Sequence, residues 1–322
     1  MTETEKPKML IEIGANCNVY GFALTTPRES VDRLMWSIVE AREDFGDQVD
    51  AVFMPYEGLH GSPLSFYDRR ADRVGLAQKD LRRTVETCNK HRAPFNLAFN
   101  TGFEFEDAPF DINEPRFQAE FDALKTLAET GEKHDVKNYV TIYLDSLHEA
   151  VKKTFPELGT IASCTRYTGG KPGQFTGMQR YVDDFTKFDH VVLATQHSHP
   201  ETLSIPGVDP GRAVVFPFLA CSQHDMTRCH AHYRNIPFDE APAEFAKHGG
   251  FEPMPVSRAQ LLEPNGCGGN YIIYNDTRFN SLLAKGLGGL KIQRGYGFSG
   301  GMMNMLIDKF LMALNTARRA TP

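Results

Sequence analysis

Short apolar runs separated by amphipathic stretches recur along most of the chain, and this alternation constrains the fold more than any other feature. "MLIEIGA" (9–15), "VDAVFMP" (49–55), "APFNLAFN" (93–100) and "VKNYVTIYL" (136–144) have strand-like apolar content. Between them, "RESVDRLMWSIVEAREDF" (28–45) carries Val31, Leu34, Met35, Ile38 and Val39 at helical spacing. "QKDLRRTVETCNKHR" (78–92) and "RFQAEFDALKTLAETG" (116–131) read as helices too. The rhythm continues with a helix at "SLHEAVKKTFP" (146–156), a strand at "GTIASC" (159–164) and a helix at "QRYVDDFTKF" (179–188). "HVVLAT" (190–195) and "RAVVFPF" (212–218) follow as strands, with "PETLSI" (200–205) between them. "GLGGLKIQR" (286–294) predicts the last strand and "GGMMNMLIDKFLMALNTARR" (300–319) a closing helix. About eight strand–helix units in one chain imply parallel strands with helices outside, an α/β protein of the (β/α)8 TIM-like barrel class. The expected organisation is a single barrel domain over 1–322. A doubly wound open sheet is the alternative, but no G-x-G-x-x-G follows a strand to favour dinucleotide binding.

The stretch 219–280 breaks the rhythm. It is rich in His, Cys, Pro and Gly, and it predicts a Cys/His-rich late insertion or lid. Elsewhere the composition is that of a globular protein, with 41% apolar and 24% charged residues. A net charge of −6 argues against an overall basic coat for nucleic acid but leaves room for a local basic funnel. The basic runs "DRRADR" (68–73), "LRRTVETCNKHR" (81–92) and "ARR" (317–319) are flanked by acids and read first as solvated helix faces. No apolar run approaches ~18 residues, so no membrane span is expected. The start, "MTETEKPKMLIEIG", lacks the pattern of a secretory signal, and a cytoplasmic location is expected. In that compartment six scattered cysteines read as thiols, ligands or nucleophiles rather than disulfides.

In such barrels chemistry gathers where the strands end. Here those ends carry Asn16, Cys17, Asn18; Glu57 and His60; Asn96, Asn100 and Glu104; Ser163, Cys164 and Arg166. Later ends carry Gln196, His197 and His199; Cys221; and Lys291, Gln293 and Arg294. Loops are polar in any case and Asn often caps helices, so it is the set rather than any one residue that predicts a polar pocket.

Cys88 lies inside a helical pattern and is expected to be a buried apolar thiol. Seven residues separate Cys221 from Cys229, which His230 and His232 follow; 37 more separate Cys229 from Cys267. Zinc fingers and ribbons use gaps of about two to four, so the spacing is wrong for them. Iron–sulfur clusters tolerate distant thiolates. A zinc site of three cysteines and His232, or a catalytic Cys229–His230 pair, are the other readings left open.

Taken in order, "APFNLAFN", "LDSLHEAVKKTFPELGTIASCTR", "YVDDFTKFDHVVLA", "FPFLACSQHDMTRCHAHYRN" and "GLGGLKIQRG" resemble motifs of the collagenase-like peptidase family of TIM-barrel proteins. The likeness spans roughly 10–315, and Gln293 stands where the family's closing motif has Gly. The resemblance implies an oxygen-independent hydroxylase-like enzyme, acting on a nucleobase in nucleic acid or nucleotide or on another aromatic. It implies a 4Fe-4S cluster on Cys221, Cys229 and Cys267, with Cys17, Cys164 or His232 as candidates for the fourth ligand. Hydroxylation without O2 needs an oxygen donor, for which the family suggests a small organic acid such as prephenate. Lys291 and Arg294 would then bind its carboxylate, Arg294 ideally in bidentate fashion. Glu57, His197 and His199 become candidates for proton transfer. Arg166 would hold a phosphate or second carboxylate, and Asn16, Asn96 and Asn100 would orient a ring. A base in a duplex would have to be flipped out to enter.

Two other functions compete. One is a zinc-bearing barrel for base exchange or C–N hydrolysis, using a carboxylate such as Glu57 or Asp189. The other is a non-enzymatic, cluster-carrying accessory subunit that binds a partner protein. Peptidase chemistry is not expected, since neither H-E-x-x-H nor a strand-borne G-x-S-x-G occurs.

Overall fold

Eight short strands all run parallel and pair in chain order: β1 (Leu10–Gly14), β2 (Ala51–Pro55), β3 (Phe95–Phe99), β4 (Tyr139–Ile142), β5 (Gly159–Ala162), β6 (His190–Val192), β7 (Ala213–Val215) and β8 (Gly289–Ile292). β8 also pairs with β1, Glu12 standing opposite Lys291, so the pairing closes on itself into an α/β barrel. The structure is a computed structural model that describes residues 10–14, 51–55, 78–99, 111, 113–167, 178–193, 197–216 and 276–292. Among the described residues there are five α-helices: α1 (Gln78–Lys90), α2 (Gln118–His134), α3 (Asp145–Thr154), α4 (Met178–Lys187) and α5 (Asp276–Ala284). The expected helices at 28–45 and 300–319, and residues 219–275 of the expected insertion at 219–280, lie outside the described residues, while its last five residues begin α5.

Strand alternation sorts the side chains into two cores. On β3, Phe95, Leu97 and Phe99 join the outer core with Leu81, Val85, Leu124 and Leu127 of α1 and α2. Removing each of these phenylalanine rings from water stabilises the fold by roughly 1.5–3 kcal/mol. The other phase of the strands builds a smaller inner core of Leu10, Ile161, Val192, Val214 and Phe216. A closed barrel of this size has room for side chains and no open pore, so any polar group on the inner face must find its partner there.

The amino ends of the strands are locked by polar contacts. Asn138, buried just before β4, donates to Asn89 Oδ1 at 2.9 Å and to the Leu127 carbonyl at 2.9 Å. Its own Oδ1 accepts from Asn89 Nδ2 and from the Phe95 amide, each at 2.8 Å. One amide thus ties α1, α2, β3 and β4 together. Asp189, just before β6, accepts from the Thr160 amide at 2.7 Å and pairs with Lys152 at 3.2 Å. Partial burial pushes its carboxyl upward, but the Thr160 amide, Lys137 and Lys152 outweigh that and hold it below the ordinary aspartate range. Asp189 therefore belongs to the end of the barrel opposite the strand carboxyl termini. This corrects its reading as a catalytic carboxylate in the zinc alternative, because its oxygens are spent on closing β5 to β6.

Helix α2 also ends differently from expectation. Gly131 reads as a stop in the sequence, yet the helix runs on to His134 and is capped by Asp135 in the left-handed region at φ 54°. Gly131 is there for close approach: a Cβ on it would lie 2.6 Å from the Val136 carbonyl oxygen.

Candidate functional site

Three polar side chains meet inside the barrel. Asn96 is the second residue of β3, Thr141 the third of β4 and Lys291 the third of β8. Each occupies the inward phase of its strand: Phe95, Leu97, Val140, Ile142 and Leu290 beside them face the outer core. The Thr141 hydroxyl accepts from Asn96 Nδ2 at 2.9 Å and donates to Asn96 Oδ1 at 3.0 Å. Lys291 Nζ reaches the same hydroxyl from across the barrel, at 3.4 Å. Asn96 is fully enclosed, Thr141 is 2% exposed and Lys291 5%, so all three are buried. Lys291 and Asn96 were expected at the substrate, and the structure brings them together through a residue that sequence reasoning passed over. The available signal was a polar residue at the inward phase of "YVTI", two places after Tyr139.

Arg166 has a different task. It sits in a short 3-10 turn, Cys164–Tyr167, immediately after β5. Its guanidinium grips Asp184 of α4 in a fork, Nε to Oδ2 at 2.8 Å and Nη2 to Oδ1 at 2.9 Å. Nη2 also donates to Asp145 of α3 at 2.9 Å, and Nη1 donates to the Tyr143 carbonyl. The plane rests 4.9 Å over the Phe188 ring. A guanidinium has five N–H donors, and at least four are committed here to the protein. The expectation that Arg166 receives a phosphate or carboxylate is thus corrected: it fastens two helices to the carboxyl end of the barrel. Asp145, in turn, is pushed up by partial burial but pulled down further by Arg166, Arg180 and Lys187, and stays ionised below its usual range.

His197 is 4% exposed and its Nδ1 lies 2.8 Å from the hydroxyl of Tyr181 on α4. The two rings meet edge to face, with centroids 5.3 Å apart. Tyr181 belongs to the outer core, so His197 packs with that layer and is not part of the inner polar group. Burial, reinforced by neighbouring His199, pushes the imidazole down to about 4, so it is neutral at ordinary pH. The expected proton-transfer candidate thus stands in the outer layer against Tyr181, away from the inner polar group. His199 is half-buried; its amide donates to the His197 carbonyl at 2.8 Å, which binds the two in one turn.

Cys164 stands two residues past the end of β5 and packs, half-buried, against the inner core. Cys88 is fully buried in the outer core, as expected, and burial raises its thiol to about 12. Among the described residues no three His, Cys, Asp or Glu side chains gather closely enough to hold a metal ion. Glu57, Asn16, Asn100, Arg294, Cys17, Cys221, Cys229, Cys267 and His232 all lie outside the described residues. No described helix is long and apolar enough to cross a membrane.

No protein-family model matches the sequence, and no curated protein matches it. Among solved structures, the chain is similar to a U32 peptidase at 12% identity, over 93% of this chain and 96% of that one, with a TM-score of 0.45. It is also similar to a dihydropteroate synthase from Anaplasma phagocytophilum with bound 6-hydroxymethylpterin-monophosphate, at 10% identity over 95% and 98% of the two chains, TM-score 0.34. A dihydropteroate synthase from Coxiella burnetii in complex with pteroic acid matches at 11% identity over 96% and 94%, TM-score 0.36.

Proposed function

We propose that the chain is an enzyme whose reaction takes place at the carboxyl end of a TIM-like barrel, with Lys291, Thr141 and Asn96 receiving an oxygen-bearing group of the substrate. The observation that carries this reading is the meeting of those three side chains on the inner wall. A barrel built only for stability would fill that layer with aliphatic residues, as it does at Ile161, Val192 and Val214. Enclosing a lysine costs free energy unless its ammonium or amine meets polar partners. The arrangement here supplies a hydroxyl fixed by an amide.

The finer reading is oxygen-independent hydroxylation of a nucleobase or another aromatic, with a small organic acid as oxygen donor. Lys291, with Arg294 two residues beyond the described end of β8, would hold the donor's carboxylate. A 4Fe-4S cluster would rest on Cys221, Cys229 and Cys267, and soft thiolates suit iron. Cys164 is the candidate fourth ligand whose setting is described: half-buried at the carboxyl end of β5 and against the inner core. When bound, such a cluster supplies electron transfer and, at an open iron, Lewis acidity. What supports this reading is the cysteine pattern and the family resemblance, and a cluster that survives in the cell fits a reducing, cytoplasmic setting.

The test is metal and sulfide analysis of anaerobically purified protein, with an absorption spectrum. Iron and sulfide in near-equal amounts, with broad absorption near ~400 nm that Cys229→Ser abolishes, support the cluster reading. Stoichiometric zinc without iron overturns it.

A further inference from the structure

We propose that Glu12 is a fourth member of the inner polar group, its carboxylate balancing the charge of the Lys291 ammonium and positioning it as a hydrogen-bond donor. The pairing stands on register and enclosure. Its use toward a substrate oxygen rests on the reading of the inner group as the site that receives substrate.

Three observations carry it. The first is composition. Across the eight described strands Glu12 is the only carboxylate and Lys291 the only lysine or arginine. The second is register. Glu12 and Lys291 stand opposite each other where β1 closes on β8. Paired strands run about 4.8 Å apart, and opposed residues share a face. Both strands give that face as the inner one. Leu10, two places before Glu12, belongs to the inner core, and Leu290, next to Lys291, belongs to the outer. The third is enclosure. Lys291 is buried, and lysine is almost never fully buried unless it is paired. Its contact with Thr141 is to a neutral hydroxyl that already exchanges hydrogen bonds with Asn96. A hydroxyl helps to solvate a cation but does not balance its charge. The other buried carboxylates among the described residues, Glu120 and Asp184, stand on helices α2 and α4 and not on the strand wall.

The pairing decides what kind of group the lysine is. An ammonium has only N–H donors and no lone pair with which to attack carbon. Held this way, Lys291 stabilises an oxygen that carries or develops negative charge, and does not serve as a nucleophile. Glu12 acts through Lys291 and is therefore a positioning residue.

The experiment is a double-mutant cycle on the full chain, read by urea unfolding near neutral pH. It compares Glu12→Gln, Glu12→Asp, Lys291→Met and the combination of Glu12→Gln with Lys291→Met. A charge pair predicts a reversal of sign. Glu12→Gln should lower the folded-to-unfolded ratio of the wild type by roughly a hundredfold or more, because it strands an enclosed cation. The same substitution should raise the ratio in Lys291→Met, where the carboxylate is the stranded charge. Glu12→Asp keeps the charge and shortens the side chain, while Glu12→Gln keeps the shape and loses the charge. Glu12→Asp should therefore retain more stability, an order that a merely structural role reverses. An effect of Glu12→Gln that is the same in both backgrounds overturns the proposal, as does Glu12→Gln tolerated better than Glu12→Asp. If Lys291→Met fails to fold, the infrared difference spectrum between the wild type and whichever position-12 variant folds decides the matter. Loss or shift of an ionised-carboxylate stretch supports the pair, and loss of a protonated-carboxyl stretch overturns it. The cycle uses neither substrate nor metal. Its failure removes the pair and leaves the proposed reaction standing, whereas stoichiometric zinc without iron removes that reaction and leaves the pair.

Discussion

Acid should loosen this protein through His197 before it reaches the carboxylates. The imidazole titrates at about 4 in the folded chain because burial disfavours its charged form, with His199 adding to the effect. In the unfolded chain it titrates at about 6.5. As pH falls below about 6.5, the unfolded chain takes up the proton and the folded one does not, so stability falls. The loss stops accruing below about 4, where both forms are protonated. A gap of about 2.5 units at about 1.4 kcal/mol each amounts to roughly 3 kcal/mol across the window. His148 is depressed in the same direction, by burial first and then by Lys152 and Arg166, so the wild-type curve alone does not isolate His197. Asp145 and Asp189 are held below the usual aspartate range and weaken the fold only at lower pH. The assay is urea unfolding at a series of pH values for the wild type and His197→Gln. The variant should be less stable at neutral pH, since it loses the edge-to-face packing on Tyr181. Its further loss between about pH 6.5 and 4 should be smaller than the wild type's by roughly 3 kcal/mol. Curves that run parallel through that window would refute the argument.

Asp184→Ala should leave the Arg166 guanidinium enclosed without its forked partner and cost about 3–5 kcal/mol, read as a lowered urea midpoint. Arg82→Ala, which breaks an exposed pair with Glu129, should stay within about 1 kcal/mol. Gly288→Ala should disrupt or prevent folding, because its Cβ would fall 1.8 Å from the Gly211 carbonyl oxygen where the approach to β7 crosses that to β8; loss of native circular dichroism would show it. Alkylation of the native protein should modify half-buried Cys164 well before Cys88, whose thiol is buried and raised to about 12; peptide mapping of the order checks this.

The strands were legible because their apolar runs are short and separated by helical stripes. Their bounds shrank at both ends, as at "VKNYVTIYL", where only Tyr139–Ile142 pairs as strand. Apolar content says what is buried, while pairing decides where the ladder stops, and Tyr143 and Leu144 are buried beyond it. Asn96 and Lys291 were legible as polar residues of the strand runs, but their inward phase comes from the alternation that the structure shows. Thr141 escaped notice because threonine is an ordinary strand residue, and its partners lie 45 and 150 residues away. Arg166 misled for a related reason. An arginine at a strand end looks like a ligand for anions until its acids are found, and these lie on two different helices, 21 and 18 residues away. His197 likewise drew its character from Tyr181, which only the docking of α4 puts beside it.

The inner group takes one member from each of β3, β4 and β8, and the span from Thr141 to Lys291 crosses 150 positions. During synthesis the first two are made long before the third. Until the last strand emerges and slots between β7 and β1, the growing chain carries a hydroxyl and an amide but no amine beside them. Whatever chemistry the lysine performs is thereby withheld from every truncated or half-made product. A ligand that grips all three residues would work as a clasp on the finished ring, and would report on its closure rather than on the presence of the chain.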